Sequence, residues 1–101
     1  MLILLTTYPN KPRELKKFIV WLVKSGMIKC VQRIQYVKSY YIRENTLKSE
    51  EEKILLLKFD EHKKSQIEIY FQKNHPYTIP EMIYLKPTEV SQAYETWMQS
   101  L

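Results

Sequence analysis

Hydrophobic and polar positions along the 101-residue chain change their period several times, and each change marks an element. Leu2 to Thr7 is a short, nearly continuous apolar run, which predicts a strand covered on both sides. Tyr8-Pro9-Asn10 ends it. Asn10 is placed to cap a helix with Pro12 in its first turn, and Leu15, Phe18, Ile19 and Leu22 recur at the i, i+3, i+4, i+7 spacing of a core-facing helix. Ser25-Gly26 stops this helix, with Gly26 in the left-handed C-terminal position. Ile28 to Arg43 is rich in β-branched and aromatic residues and holds no breaker, so it reads as one long strand or two joined by a bend. Glu44 to Glu52 reads as a polar turn, and Lys53 to Phe59 as a buried strand completing a hairpin. Asp60 is placed to cap a second helix through Ile67, Tyr70 and Phe71 that must end before Pro76. A strand at Met82 to Leu85 follows Pro80. A closing helix begins near Ser91 and presents Tyr94, Trp97 and Met98 on one side.

The order β-α-β-β-α-β with an added helix predicts an α+β fold of the ferredoxin-like, split βαβ type: an antiparallel sheet with two helices on one face and an extra C-terminal helix. No repeat, low-complexity tract or linker interrupts it, so residues 1–101 form one domain. The open face of such a sheet must be wet, bind something, or be covered by another subunit. Here the strands that supply it are unusually aromatic.

Charge and composition narrow the function classes. Lys and Arg number 16 against 11 acids, a net charge of +5, but residues 1–49 carry +8 and residues 50–101 carry −3. Such asymmetry invites a nucleic-acid or membrane reading, but complementary halves that meet across a fold or a subunit contact are its commoner cause. A single glycine cannot form the glycine-rich cradles of phosphate and dinucleotide sites. A single cysteine, Cys30, permits no intramolecular disulfide and no Cys-x-x-Cys knuckle, which points to a reducing, cytoplasmic setting. The apolar start is too short for a signal peptide, and nowhere do eighteen apolar residues run together, so no membrane partner is expected.

Candidate chemistry concentrates in Asn74-His75-Pro76-Tyr77-Thr78-Ile79-Pro80-Glu81. Pro76 and Pro80 fix φ and push His75 and Ile79 towards extended backbone, so an imidazole, a phenol and a carboxylate sit on a stiff connection. Rigid presentation of His75 and Glu81 suits a metal or small-anion site. It equally suits a rigid turn in which Tyr77 packs and His75 donates to a nearby carbonyl. Cys30, alone in an apolar strand, reads as a small buried hydrophobe, His62 as a solvated helix residue, and Glu50-Glu51-Glu52 as a solubilising run. No nucleophile stands at a recognisable spacing from a base, so an enzyme is not expected.

The segment His75-Pro76-Tyr77-Thr78-Ile79-Pro80-Glu81-Met82 closely resembles the His-Pro-Tyr-x-x-Pro-Glu-(apolar) signature of the CutA family, the small divalent-cation-tolerance proteins. Thr6-Thr7-Tyr8-Pro9, Cys30-Val31-Gln32, Ser39-Tyr40-Tyr41, Glu52 and Lys58, and Tyr94 with Trp97 resemble the family's other marks, without a gap from Thr6 to Leu85. The resemblance implies a PII-like homotrimer in which neighbouring sheets join and cover their aromatic faces, with Tyr36, Tyr40, Tyr41 and Trp97 at the interface. It further implies a link to copper or another divalent cation, with His75, Cys30 and Glu81 as ligand candidates and Tyr77 and Lys58 lining a cleft between subunits. The chain departs from the pattern in the hairpin Tyr41-Ile42-Arg43-Glu44-Asn45-Thr46, which lacks the family's tryptophan and glycine, and at Thr6 and Asn74, where some metal-binding members carry a thiol and a second histidine. One imidazole with oxygen neighbours makes a poor selective copper site, so ligands from a neighbouring subunit would be required. Two other readings remain open at this stage. One is an RNA-binding sheet using Tyr36, Tyr40 and Tyr41 with Arg33, Lys38 and Arg43, against which stands the absence of the Lys/Arg-Gly-Phe/Tyr-Gly/Ala-Phe strand. The other is a structural trimer that presents its surface to a protein partner.

Overall fold

Alternation along the first strand decides which way the sheet faces. In the computed structural model, which describes residues 1–101, β1 (Leu2–Pro9) turns Leu2, Leu4, Thr6 and Tyr8 into the core, while Ile3 and Leu5 point the other way and stay half-covered. The expected cover on both sides is therefore absent within one chain: helices lie on one face only. α1 (Pro12–Lys24) buries Leu15, Phe18 and Leu22 against that face. Pro12, whose fixed φ suits the first helical position, makes Lys11 rather than Asn10 the cap residue, and no side chain bonds the first turn. The helix stops at Ser25, and Gly26 takes φ +80° as its spacing predicts.

β2 (Cys30–Arg43) and β3 (Thr46–Phe59) form one long hairpin. Its turn is only Glu44-Asn45, with φ 52° and 63°, the two left-handed residues of a tight hairpin turn. The polar stretch expected to be a turn through Glu52 is thus mostly strand. Glu50 and Glu52 are held there by cross-strand donors, Tyr41 Oη at 2.7 Å from Glu50 and Ser39 Oγ at 2.6 Å from Glu52, which offset their poor strand preference. A bulge between Ile34 and Val37 interrupts the ladder, and the Gln35 carbonyl it exposes accepts from Lys53 Nζ. Fourteen-residue strands make the molecule 47 Å long. The radius of gyration of 14.7 Å exceeds the roughly 13 Å of an ordinary domain of this size because the hairpin projects beyond the core.

Asp60 flanks a 3₁₀ turn, Glu61–Lys63, instead of capping the helix. Its carboxylate lies 3.6 Å from Lys29 Nζ, so it is engaged elsewhere. α2 (Lys64–Asn74) then buries Ile67 and Phe71, β4 (Ile83–Leu85) pairs with Ile3–Leu5, and α3 (Gln92–Gln99) buries Met98. The sheet order β2-β3-β1-β4, with antiparallel neighbours, is the ferredoxin-like arrangement that the element order predicts. Twelve buried residues from both layers, Phe59 and Phe71 among the largest, form the core cluster. No helix is long and apolar enough to cross a membrane.

Candidate functional site

The sheet edge creates the site. β4 is three residues long and pairs only with Ile3–Leu5, so the edge of β1 beyond Leu5 has no strand beside it. Pro76 ends α2 and forces His75 into extended backbone at the helix C-cap, φ −76° and ψ 136°, which carries its ring to that free edge. His75 Nε2 lies 2.8 Å from the Thr7 carbonyl, and Nδ1 accepts from the Tyr77 backbone N–H at 3.0 Å. A carbonyl can only accept and an amide N–H can only donate, so the neutral Nε2–H tautomer is dictated and neither ring nitrogen keeps a free lone pair. The ring is 7% exposed and packs against Tyr8, Phe18, Phe71 and Tyr77. Burial pushes its pKa below the ordinary value, against the opposing pull of the Thr7 carbonyl and of Glu52.

Tyr77 continues the chain of contacts. Its hydroxyl donates at 2.7 Å to Glu52 Oε2, while Ser39 Oγ donates at 2.6 Å to Oε1. Glu52 is 8% exposed and has no cationic partner among the ion pairs, so these two short bonds are what hold a buried carboxylate in place. Burial first, then the bond to Glu52, drive the Tyr77 phenol far above its usual range. Ser39, Glu52, Tyr77, His75 and Thr7 thus tie β2, β3, the helix-to-β4 connection and β1 into one satisfied network. Its chemistry is positional: every polar group in it is already committed. Ser39 and Glu52 stand among the residues that resemble the CutA pattern, yet neither charge nor spacing marks them for this site; the signal was the alternation that puts both on one face of the hairpin.

The other candidates lie apart. Cys30 is partly buried and unpaired, opposite Lys58 in the β2–β3 register, and Lys58 Nζ bonds Tyr94 Oη at 2.8 Å. Thr7, which anchors His75, is opposite Ile54. Four residues of β3 therefore separate the two ends, about 13 Å at strand rise, so Cys30 and His75 of one chain are not within ligand reach of each other. Lys58 and Glu52, the partner of Tyr77, are six residues apart, about 20 Å, and Lys58 and Tyr77 line no common cleft within one chain. Glu81 and His62 are exposed. No three His, Cys, Asp or Glu side chains converge as a metal would need. A resident metal held by one chain does not fit these residues. Tyr36, Tyr40, Tyr41 and Trp97 are all exposed, and Tyr40 and Tyr41 alternate to opposite faces of the hairpin. They form no single stacking platform of the kind an RNA-binding sheet uses.

Comparison with known proteins completes the picture. Residues 2–101 match the family model described as CutA1 divalent ion tolerance protein. The chain is 26% identical over 99 residues to a chloroplastic CutA protein of Arabidopsis thaliana, covering 98% of this chain and 54% of that one. It thus spans about half the length of that curated relative. Among solved structures, CutA from Synechococcus elongatus is 27% identical with a TM-score of 0.88, covering 98% of this chain and 87% of that one. CutA1 from Pyrococcus horikoshii is 25% identical with a TM-score of 0.88, covering 99% and 96%.

Proposed function

The chain belongs to the CutA1 divalent ion tolerance family, and we propose that it acts there as a homotrimer whose copies cover one another's open sheet faces and bind divalent cations, copper among them, weakly in the clefts between them. The observation that carries this reading is the apolar surface one chain leaves in water. Ile34, Ile83 and Leu85 stand exposed on the face away from the helices, and the projecting hairpin adds Tyr36 (69% exposed), Ile42 (67%) and Leu47 (66%). Large apolar residues left exposed together on a sheet face and along a projecting hairpin suit an interaction site. The outer edge of β2, fourteen residues long at the end of the sheet order, also lacks a partner strand. Tyr40 and Tyr41 on opposite sides of the hairpin suit a segment gripped from both sides by other copies, with Tyr36 further along the same strand and Trp97 contributing from α3 near the other end of the hairpin.

In this reading Cys30, Glu81 and His75 serve a cation only as contributions from different copies, and Lys58 and Tyr77 likewise line a cleft only from two chains. His75 can ligate only after it gives up its bond to the Thr7 carbonyl or to the Tyr77 N–H, which keeps the affinity low, because tight copper binding needs several free N or S donors in one geometry. The role is one of binding, not catalysis, and the single unpaired Cys30 suits a cytoplasmic setting. Light scattering tests the assembly: a mass three times 12.3 kDa supports it, and a monomer overturns it. Copper titration by calorimetry with Cys30→Ala, Glu81→Ala and His75→Ala tests the cleft; unchanged affinity in all three removes these residues from it.

A further inference from the structure

The helical face, opposite the surface that the trimer reading uses, carries a feature of its own. Side chains of α1, α2 and the segments beside them line an open groove of about 770 Å³, among them Tyr8, Lys11, Lys17, Trp21, Tyr70 and Lys73. Volumes of roughly 300–1,000 Å³ are those of small-molecule sites. Trp21 stacks on Tyr70 with ring centroids 4.3 Å apart and planes 3° from parallel, yet the indole remains 46% exposed. Burying such a ring is worth the most to a ligand with an apolar or aromatic body. Ile69, on the same lining, is also exposed.

Charge defines the other half of the ligand. Lys11, Lys17 and Lys73 make no ion pair and no side-chain hydrogen bond, and Glu14 is the only acid on the lining. Off the groove, Lys29, Lys64 and Lys86 have carboxylate partners while Lys16, Lys24, Lys38, Lys48 and Lys63 do not, so what sets these three apart is that they share one concave lining with exposed aromatic surface. Three unpaired ammonium groups around an exposed aromatic stack leave an excess of positive potential that an anion would satisfy. We propose that this groove binds a small amphipathic organic anion, an aromatic body stacking or packing on Trp21 with a carboxylate, sulfonate or phosphate among Lys11, Lys17 and Lys73. The site needs no second copy and no metal, so it stands or falls apart from the trimer.

The full-length protein can be titrated with 1-anilinonaphthalene-8-sulfonate, an aromatic monoanion, and followed by the two indole N–H signals in NMR, assigned with Trp97→Phe. Binding in the groove moves the Trp21 signal and leaves Trp97 in place. Charge reversal at two exposed lysines, Lys17→Glu with Lys73→Glu, weakens binding about tenfold, and the milder Lys17→Gln with Lys73→Gln about threefold. The proposal is overturned if the uncharged N-phenyl-1-naphthylamine moves Trp21 equally, if Trp97 responds instead, or if both double variants bind the anion as the wild type does. Response to anionic phospholipid vesicles but not to the soluble anion would likewise overturn it, in favour of a membrane surface.

Discussion

Replacing His75 by alanine removes the side chain that satisfies the free edge of β1, and its effect should depend on pH in a definite direction. The buried Thr7 carbonyl is left with only a long 3.4 Å bond from Thr6 Oγ1, the part-buried Tyr77 N–H loses its acceptor, each at about 1–3 kcal/mol, and the vacated ring leaves a hole among Tyr8, Phe18 and Phe71. A total of about 4 kcal/mol is expected near pH 8. The folded-state pKa of His75 lies below its ordinary 6.5, chiefly through burial, so below pH 6.5 the unfolded chain takes up a proton that the native chain refuses. This group's contribution is therefore complete at high pH and declines as pH falls from 6.5 towards the folded pKa, at up to about 1.4 kcal/mol per pH unit. The His75→Ala variant has no such slope. Urea midpoints for both proteins from pH 8 to 5, at one protein concentration because association shifts them, should show the gap between them narrowing as pH falls. Exposed His62 is common to both and cancels. A gap that stays constant would refute the buried neutral imidazole; one that widens would mean that the Thr7 carbonyl and Glu52 together outweigh burial and hold the ring charged.

Tyr77→Phe takes one of two donors from buried Glu52 and should lower stability by about 1.5–3 kcal/mol in the same denaturation assay. In spectrophotometric titration Tyr77 and Tyr84 should stay protonated where an ordinary phenol ionises near pH 10, both raised first by burial and then by a carboxylate, Glu52 and Glu68 respectively. Glu44→Gly should stabilise the hairpin by about 0.5–1 kcal/mol, since glutamate at φ 52° is strained and glycine is not; a lower melting temperature would contradict the two-residue turn. Gly26→Ala should cost about 1 kcal/mol purely through its φ of +80°, because an added Cβ meets nothing within 4 Å.

Order and type of the elements were legible because they depend on local chemistry. Pro12, Gly26 and Pro76 act on their own backbone, and the spacing of Leu15, Phe18 and Leu22 needs no knowledge of what covers them. The errors share a different cause. Glu44 to Glu52 looks like a loop by composition, yet beyond the Glu44-Asn45 turn it is strand because Ser39 and Tyr41 sit across the ladder with hydroxyls for its carboxylates. Asp60 looks like a helix cap, and a lysine thirty-one positions earlier in the chain claims it instead.

The candidate site divides along the same line. By itself the sequence determined that His75 would stand on extended backbone at the head of a stiff segment held by Pro76 and Pro80, and that one glycine and one cysteine could supply neither a phosphate cradle nor a disulfide. Tertiary structure decided what the imidazole does. Because β4 is only three residues long, the Thr7 carbonyl is left without a strand partner, and the nearest donor that the stiff segment can deliver is His75. The register of β1, β3 and β2, a property of paired strands and not of any one of them, also placed Cys30 about 13 Å along the sheet from that ring.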